Sequence, residues 1–148
     1  AEAVNRINAL KGRHANKGLI LVASRLQQLD TLIDVSDRNQ RAAIVGEREP
    51  TSWVVPARST APEWIRGRHQ TLAIRITTHP LVMRLCDLLG HALVSTSANP
   101  AGKKPALNAL QLHRYFDGQV DSMLVSNHNC SGNPSKIRDL KSRKLLRK

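Results

Sequence analysis

The longest clear apolar run in the chain, Gly18-Leu19-Ile20-Leu21-Val22-Ala23, is only as long as a β-strand. A run that short cannot cross a bilayer, which takes about 20 apolar residues. It shows no polar alternation, so it fits a strand buried on both faces. Such a strand needs packed elements above and below it, and the flanking sequence supplies them. Ala3, Val4, Ile7 and Leu10 repeat at helical spacing, and Gly12 ends that helix. Leu26, Leu29, Leu32 and Ile33 form a second helical stripe. Residues 37–45 read as a third helix closed by Gly46.

The pattern continues to the end of the chain. Trp53-Val54-Val55 reads as a strand stopped by Pro56, and residues 58–70 as a loop with Pro62 and Gly67. Residues 71–76 read as a strand that places Thr71, Ala73 and Arg75 on one face. Pro80 suits a first helical turn, Leu81, Leu85, Leu88 and Leu89 give that helix its apolar face, and Gly90 stops it. A strand at 92–95 leads into a Pro/Gly-rich loop to Pro105, and Asn108 caps a helix through Tyr115. Met123-Leu124-Val125 is expected as a strand, 126–134 as a loop, and 135–140 with 144–147 as a terminal hairpin. Alternating strands and helices with an antiparallel pair predict an α/β (α+β) fold, a mixed twisted sheet with flanking helices. With 148 residues the expectation is a single domain over 1–148, large enough to bury a core without disulfides or a structural metal. Aromatics are only 3% of the chain, so Leu, Ile, Val and Ala must build that core. Cys86 lies on a helical apolar pattern and Cys130 in a polar loop, which predicts two free thiols in a reducing compartment. The start, Ala1-Glu2-Ala3, is neither an initiator Met nor a signal peptide, so the chain reads as N-terminally incomplete, soluble and cytoplasmic.

The formal net charge of +12 points to a polyanionic partner, either nucleic acid or nucleotide phosphates. Seven basic residues lie from Lys136 onward (Lys136, Arg138, Lys141, Arg143, Lys144, Arg147 and Lys148), with Asp139 the one acidic residue among them. A run like this serves equally as a solvated tail or as a phosphate-binding surface.

Three clusters at the ends of expected strands could do chemistry, where open α/β sheets place ligands. Lys11-Gly12-Arg13 with Lys17 puts three cations within seven residues, enough to hold a triphosphate by point charge and bidentate bonding. Ser95-Thr96-Ser97-Ala98-Asn99 follows a strand directly and offers hydroxyls and an amide that both donate and accept. Asn133-Pro134-Ser135-Lys136-Ile137-Arg138-Asp139 is the third. Taken singly, each also reads as a helix-end cation, a turn or a cap.

Taken together, the clusters resemble one family. LKGRHANKGLILVA resembles the Lys-x-Arg segment and following strand of YrdC/TsaC proteins, and TLAIRITTHPL resembles their strand with a substrate Arg. LVSTSANPAG resembles their Ser-x-Asn signature loop, and NPSKIRDL followed by LLR their C-terminal strands. The resemblance covers about residues 1–147. It implies a YrdC-like twisted sheet with a positively lined cavity. The implied reaction joins L-threonine, bicarbonate and ATP into threonylcarbamoyl-AMP and pyrophosphate, for threonylcarbamoyladenosine modification of tRNA. By resemblance, Lys11, Arg13 and Lys17 engage the ATP phosphates, with Lys11, Arg13, Ser97 and Asn99 as the catalytic group. Thr71, Ser97 and Asn99 hold the nucleotide, Arg147 closes over it, and Arg75, Ser97 and Ser135 hold threonine. Mg²⁺ accompanies the phosphates, with no protein metal site, and tRNA and other tRNA-modification proteins are the implied partners.

Two departures bear on activity. The family opens with a strand carrying Tyr-Pro-Thr, which nothing here matches, so the domain is expected to lack its N-terminal strand. Where the family has Trp-Pro-Gly-Pro, this chain has Glu47-Arg48-Glu49-Pro50. The competing reading is a non-catalytic module that binds double-stranded RNA or tRNA through phosphates. His128 and Cys130 make no closed metal site, and His79 reads as a local structural residue. Trp53 is expected in the core, and Trp64 is open to either core or base-stacking use.

Overall fold

The structure, a computed structural model, describes residues 1–13, 18–124 and 134–147. Six strands form one sheet: Ile20–Ala23 (β1), Thr51–Pro56 (β2), Thr71–Ile76 (β3), Leu93–Ser95 (β4), Lys136–Asp139 (β5) and Leu145–Arg147 (β6). Their spatial order is β4-β1-β3-β2-β5-β6. β1 runs parallel to β3 and β2 parallel to β5, while the other neighbours are antiparallel. The expected mixed sheet and the terminal hairpin are both present. The helices are Glu2–Lys11 (α1), Arg38–Val45 (α2), Glu63–Arg66 (α3), Pro80–Leu89 (α4) and Ala109–Phe116 (α5). Among the described residues no helix is long and apolar enough to cross a membrane.

Local chemistry sets the helix ends. The Asp37 carboxylate accepts from the Gln40 N–H at 2.7 Å and starts α2. Asn108 does the same for α5, accepting from the Gln111 N–H at 2.9 Å. Gly12 ends α1 in the left-handed region, at φ 57°, a conformation that costs any residue with a Cβ about 1 kcal/mol or more.

The pleat of the central strands divides the sheet. Leu72 and Ile74 of β3 face the core with Leu21 and Ala23 of β1 and Trp53 and Val55 of β2. Leu29, Ile33, Ile44 and Ile65 from the surrounding segments complete that side. Thr71, Ala73 and Arg75 alternate onto the opposite face, as the sequence predicts. Val54 pairs with Ala73, so two residues further along the antiparallel pair Ser52 faces Arg75. Ser52 also pairs with Ile137 of β5.

Three expectations change. The stripe from Leu26 to Ile33 forms a 3-10 turn, Leu26–Leu29, followed by an extended bridge from Ile33 to Ala57. Its leucines recur every three residues, the period of that tighter turn. The loop 58–70 contains the single turn of α3, entered through Pro62. Met123 and Leu124 are not in a strand, and Val125 with the expected loop to Asn133 falls outside the described residues.

Ile74 is fully buried at the centre of the sheet. Ile74→Ala should cost about 2–5 kcal/mol of stability through lost transfer energy and a residual cavity. A urea titration should show a lower midpoint at unchanged slope.

Candidate active site

Lys11 ends α1 with its side chain buried. Its ammonium donates to the Ser97 carbonyl at 2.5 Å, the Asn99 carbonyl at 2.7 Å and Asn99 Oδ1 at 3.3 Å. The contact is returned, because the Ala101 N–H donates to the Lys11 carbonyl at 2.8 Å. Asn99 Nδ2 closes the loop on itself, donating to the Lys103 carbonyl at 2.6 Å and the Pro100 carbonyl at 3.1 Å. Burial, and then the charge of Arg13, pull the Lys11 ammonium below its ordinary pKa. The three oxygens counter that pull. Lys11 thus spends its charge on the loop, and the neighbouring Arg13 presents the next cation.

Arg13 is partly buried and donates from Nη2 to the Gly18 carbonyl at 3.2 Å. Burial lowers its pKa as well. Lys17 lies outside the described residues. The Ser97 hydroxyl is exposed and makes no hydrogen bond to a described residue. Thr71 belongs to the same end of the sheet, because Ser95 pairs with Ile20 and Ile20 with Ala73. The loop therefore leaves β4 where β3 begins. Beside it, α1 and α5 enclose a cavity of about 290 Å³ whose walls, such as Leu10, Leu112 and Phe116, are largely apolar, with Lys11 at its edge.

A second polar group sits further along the same face. Arg75 is partly buried, and desolvation pulls its pKa down. A desolvated guanidinium is well matched to an incoming carboxylate. The Ser135 hydroxyl lies 3.0 Å from the Ser52 hydroxyl, and the Arg147 guanidinium donates to the Ser135 carbonyl at 2.9 Å. The Glu49 carboxylate pairs with Lys136 next door, and that hydrogen bond holds its pKa down. The Glu47-Arg48-Glu49 departure thus ties the β2 entry to β5.

Sequence reasoning missed Ser52. It sits in an apolar strand, and only the register that brings it to Arg75 and Ser135 reveals it. Trp53 is buried as expected, with the Arg143 guanidinium 5.3 Å from its ring centroid. Trp64 is exposed. Cys86 is a free buried thiol whose pKa desolvation raises. His128 and Cys130 lie outside the described residues. Among the described residues no three His, Cys, Asp or Glu side chains group as metal ligands.

The structure is an α/β domain whose cations and hydroxyls group near the start of β3 and again around Arg75. The chain belongs to the Sua5/YrdC family: the model described as "Sua5_yciO_yrdC: Telomere recombination" matches residues 1–148. It is 46% identical over 147 residues to a threonylcarbamoyl-AMP synthase of Stutzerimonas stutzeri, covering 99% of this chain and 79% of that protein. A threonylcarbamoyl-AMP synthase of Nitrosococcus oceani is 44% identical over 146 residues, covering 98% and 79%. The crystal structure of P. abyssi Sua5 complexed with L-threonine superposes with a TM-score of 0.84 at 26% identity. That match covers 93% of this chain and 41% of the Sua5 chain.

Lys11→Met should keep the stem packed while leaving the Ser97 and Asn99 carbonyls without their donor. The expected cost is about 2 kcal/mol, as for hydrogen bonds to a charged group. Hydrogen exchange should show faster exchange at Ala101 and Ala106 while Ile74 stays protected.

Proposed function

We propose that the chain is the adenylate-forming domain of a threonylcarbamoyl-AMP synthase. It joins L-threonine, bicarbonate and ATP, releases pyrophosphate, and supplies tRNA modification. The observation that supports this reading is the grouping of cations and hydroxyls in two clusters, one at the end of the sheet where β3 begins and one around Arg75. One is built from Arg13, Thr71, Ser97 and Asn99, the other from Arg75 and Ser135. The first suits phosphates and ribose; the second suits an amino-acid carboxylate.

The chemistry needs no covalent enzyme intermediate. The threonine amine attacks CO₂ with loss of a proton, or bicarbonate with loss of water, to give a carbamate. A carbamate oxygen then attacks the α-phosphate, and pyrophosphate leaves. The protein orients the reactants and neutralises charge on the phosphates. Arg13 and, by the family resemblance, Lys17 engage the phosphates; Ser97 and Asn99 hold the nucleotide; Arg75 and Ser135 hold the threonine carboxylate; Arg147 covers the nucleotide. Lys11 acts on the catalytic group by fixing the loop. Mg²⁺ bound with the nucleotide would neutralise charge on the phosphates.

Pyrophosphate release from ATP should require both threonine and bicarbonate. Arg13→Ala should weaken ATP use, and Arg75→Ala should raise the KM for threonine with ATP affinity retained. Each loss of orientation is expected to cost roughly a hundredfold in kcat/KM. Release that ignores threonine would overturn the reading.

A second, compatible reading concerns RNA. Lys141 and Lys144 lie exposed on the β5–β6 turn, where the Asp139 carboxylate accepts from the Ser142 N–H and hydroxyl, both at 2.7 Å. Arg143 stands over the Trp53 ring and keeps its charge, so the test is confined to the two lysines, whose loss leaves that contact in place. Changing both to Gln should weaken tRNA binding and reduce the slope of log K against log salt by roughly 2. An unchanged slope would remove this turn from the RNA surface.

A further inference from the structure

We infer that Ser52, sealed inside the sheet, is a positioning residue for the threonine end of the site and acts through Ser135. This rests on the proposed function, because it takes Ser135 as a ligand of the threonine carboxylate. Ser52 is 0% exposed. A buried hydroxyl without a partner is destabilising, so its bonding must be accounted for. Its hydroxyl has one side-chain partner, Ser135 Oγ at 3.0 Å. The register places Ser52 between Arg75 on β3 and Ser135 at the entry to β5, all on the face opposite the core. Ser135 is held from its other side, because Arg147 donates to its carbonyl at 2.9 Å.

Proton counting gives the pair a direction. Each hydroxyl has one proton to donate and two lone pairs to accept. A carboxylate only accepts, so a bound carboxylate takes the Ser135 proton. Ser135 Oγ then accepts from Ser52, which has its own proton to give. The result is a relay of hydrogen bonds from Ser52 to Ser135 to the carboxylate, with Arg75 supplying the charge on the same face. Each bond polarises the next. Ser52 never touches the ligand; it fixes where the Ser135 hydroxyl points.

The test is calorimetric titration of L-threonine, and separately of ATP, into the purified chain and its variants. Ser52→Ala should weaken threonine binding by about fivefold to tenfold, one hydrogen bond's worth, and leave ATP affinity unchanged. Ser52→Thr, which keeps the hydroxyl, should stay within about twofold of wild type by the same accounting. Ser52→Cys keeps the volume with a weak donor, should behave as Ser52→Ala, and decides the matter if the alanine variant does not fold. In a Ser135→Ala background, Ser52→Ala should add little, the mark of a residue that works through its neighbour. Full threonine affinity in Ser52→Ala and Ser52→Cys, or equal loss of threonine and ATP binding, would overturn the inference while Arg75→Ala and Ser135→Ala still weaken threonine. If those two variants also bind threonine as wild type does, the proposed carboxylate site falls, and the role of Ser52 with it.

Discussion

A lysine ammonium taken out of water must be surrounded by oxygen, and Lys11 finds its oxygens on a loop 86 to 88 residues further along the chain. The desolvation of such a charge costs several kcal/mol unless hydrogen bonds offset it. Two backbone carbonyls and the Asn99 side chain do so here. The loop is rich in Pro and Gly and has little apolar side chain to bury, so the ammonium is what fixes it against α1. Gly12 lets the chain reverse immediately after the clamp, at φ 57°. Arg13 follows at once and donates to the Gly18 carbonyl. The location of one buried charge therefore fixes the loop after β4 to the end of α1.

The second constraint is the pleat of β3. Leu72 and Ile74 are core, while Thr71, Ala73 and Arg75 lie on the opposite face with the candidate site. A one-residue slip in register would send Ile74 to the open face and Arg75 into the core. Fold stability and site integrity thus depend on the same pairings, Trp53 with Ile74 and Val54 with Ala73. The terminal hairpin is fixed to that frame by the Leu140 N–H, which donates to the Val54 carbonyl at 3.0 Å, and by Arg143 over Trp53. Arg143 takes a left-handed backbone, φ 59°, to make that stack. The hairpin then delivers Arg147 to Ser135.

Much of this was legible in the residues. The cap at Asn108, stops at Gly12 and Gly90, and period-two alternation over 71–76 are local signals, and the structure follows each of them. The failures are places where a local pattern admits two answers. Leucines at 26, 29 and 32 satisfy both an α-helical stripe and a 3-10 turn, and the tertiary bridge from Ile33 to Ala57 selects the turn. For Lys11 the sequence shows the cation but not the contacts its ammonium makes with the Ser97 and Asn99 carbonyls. Ser52 was invisible for a related reason. A serine in an apolar strand gains meaning only when the register sets it opposite Arg75.

The spacing of the two clusters carries a further argument about the ligand. Thr71 and Arg75 are four residues apart on one strand, so their side chains stand about 13 Å apart at the usual rise per residue. On the proposed reading, a nucleotide joined through its phosphate to an amino-acid carbamate spans that length, with the ribose and phosphates at the Thr71 end and the carboxylate at the Arg75 end. Ala73 lies between them and adds no polar group. In such a site rate enhancement would come from holding two ends of a long ligand so that its middle is in line. On the same reading the groups that meet the ligand are cations, hydroxyls and an amide, and the buried Lys11 and Ser52 beneath them aim the groups above.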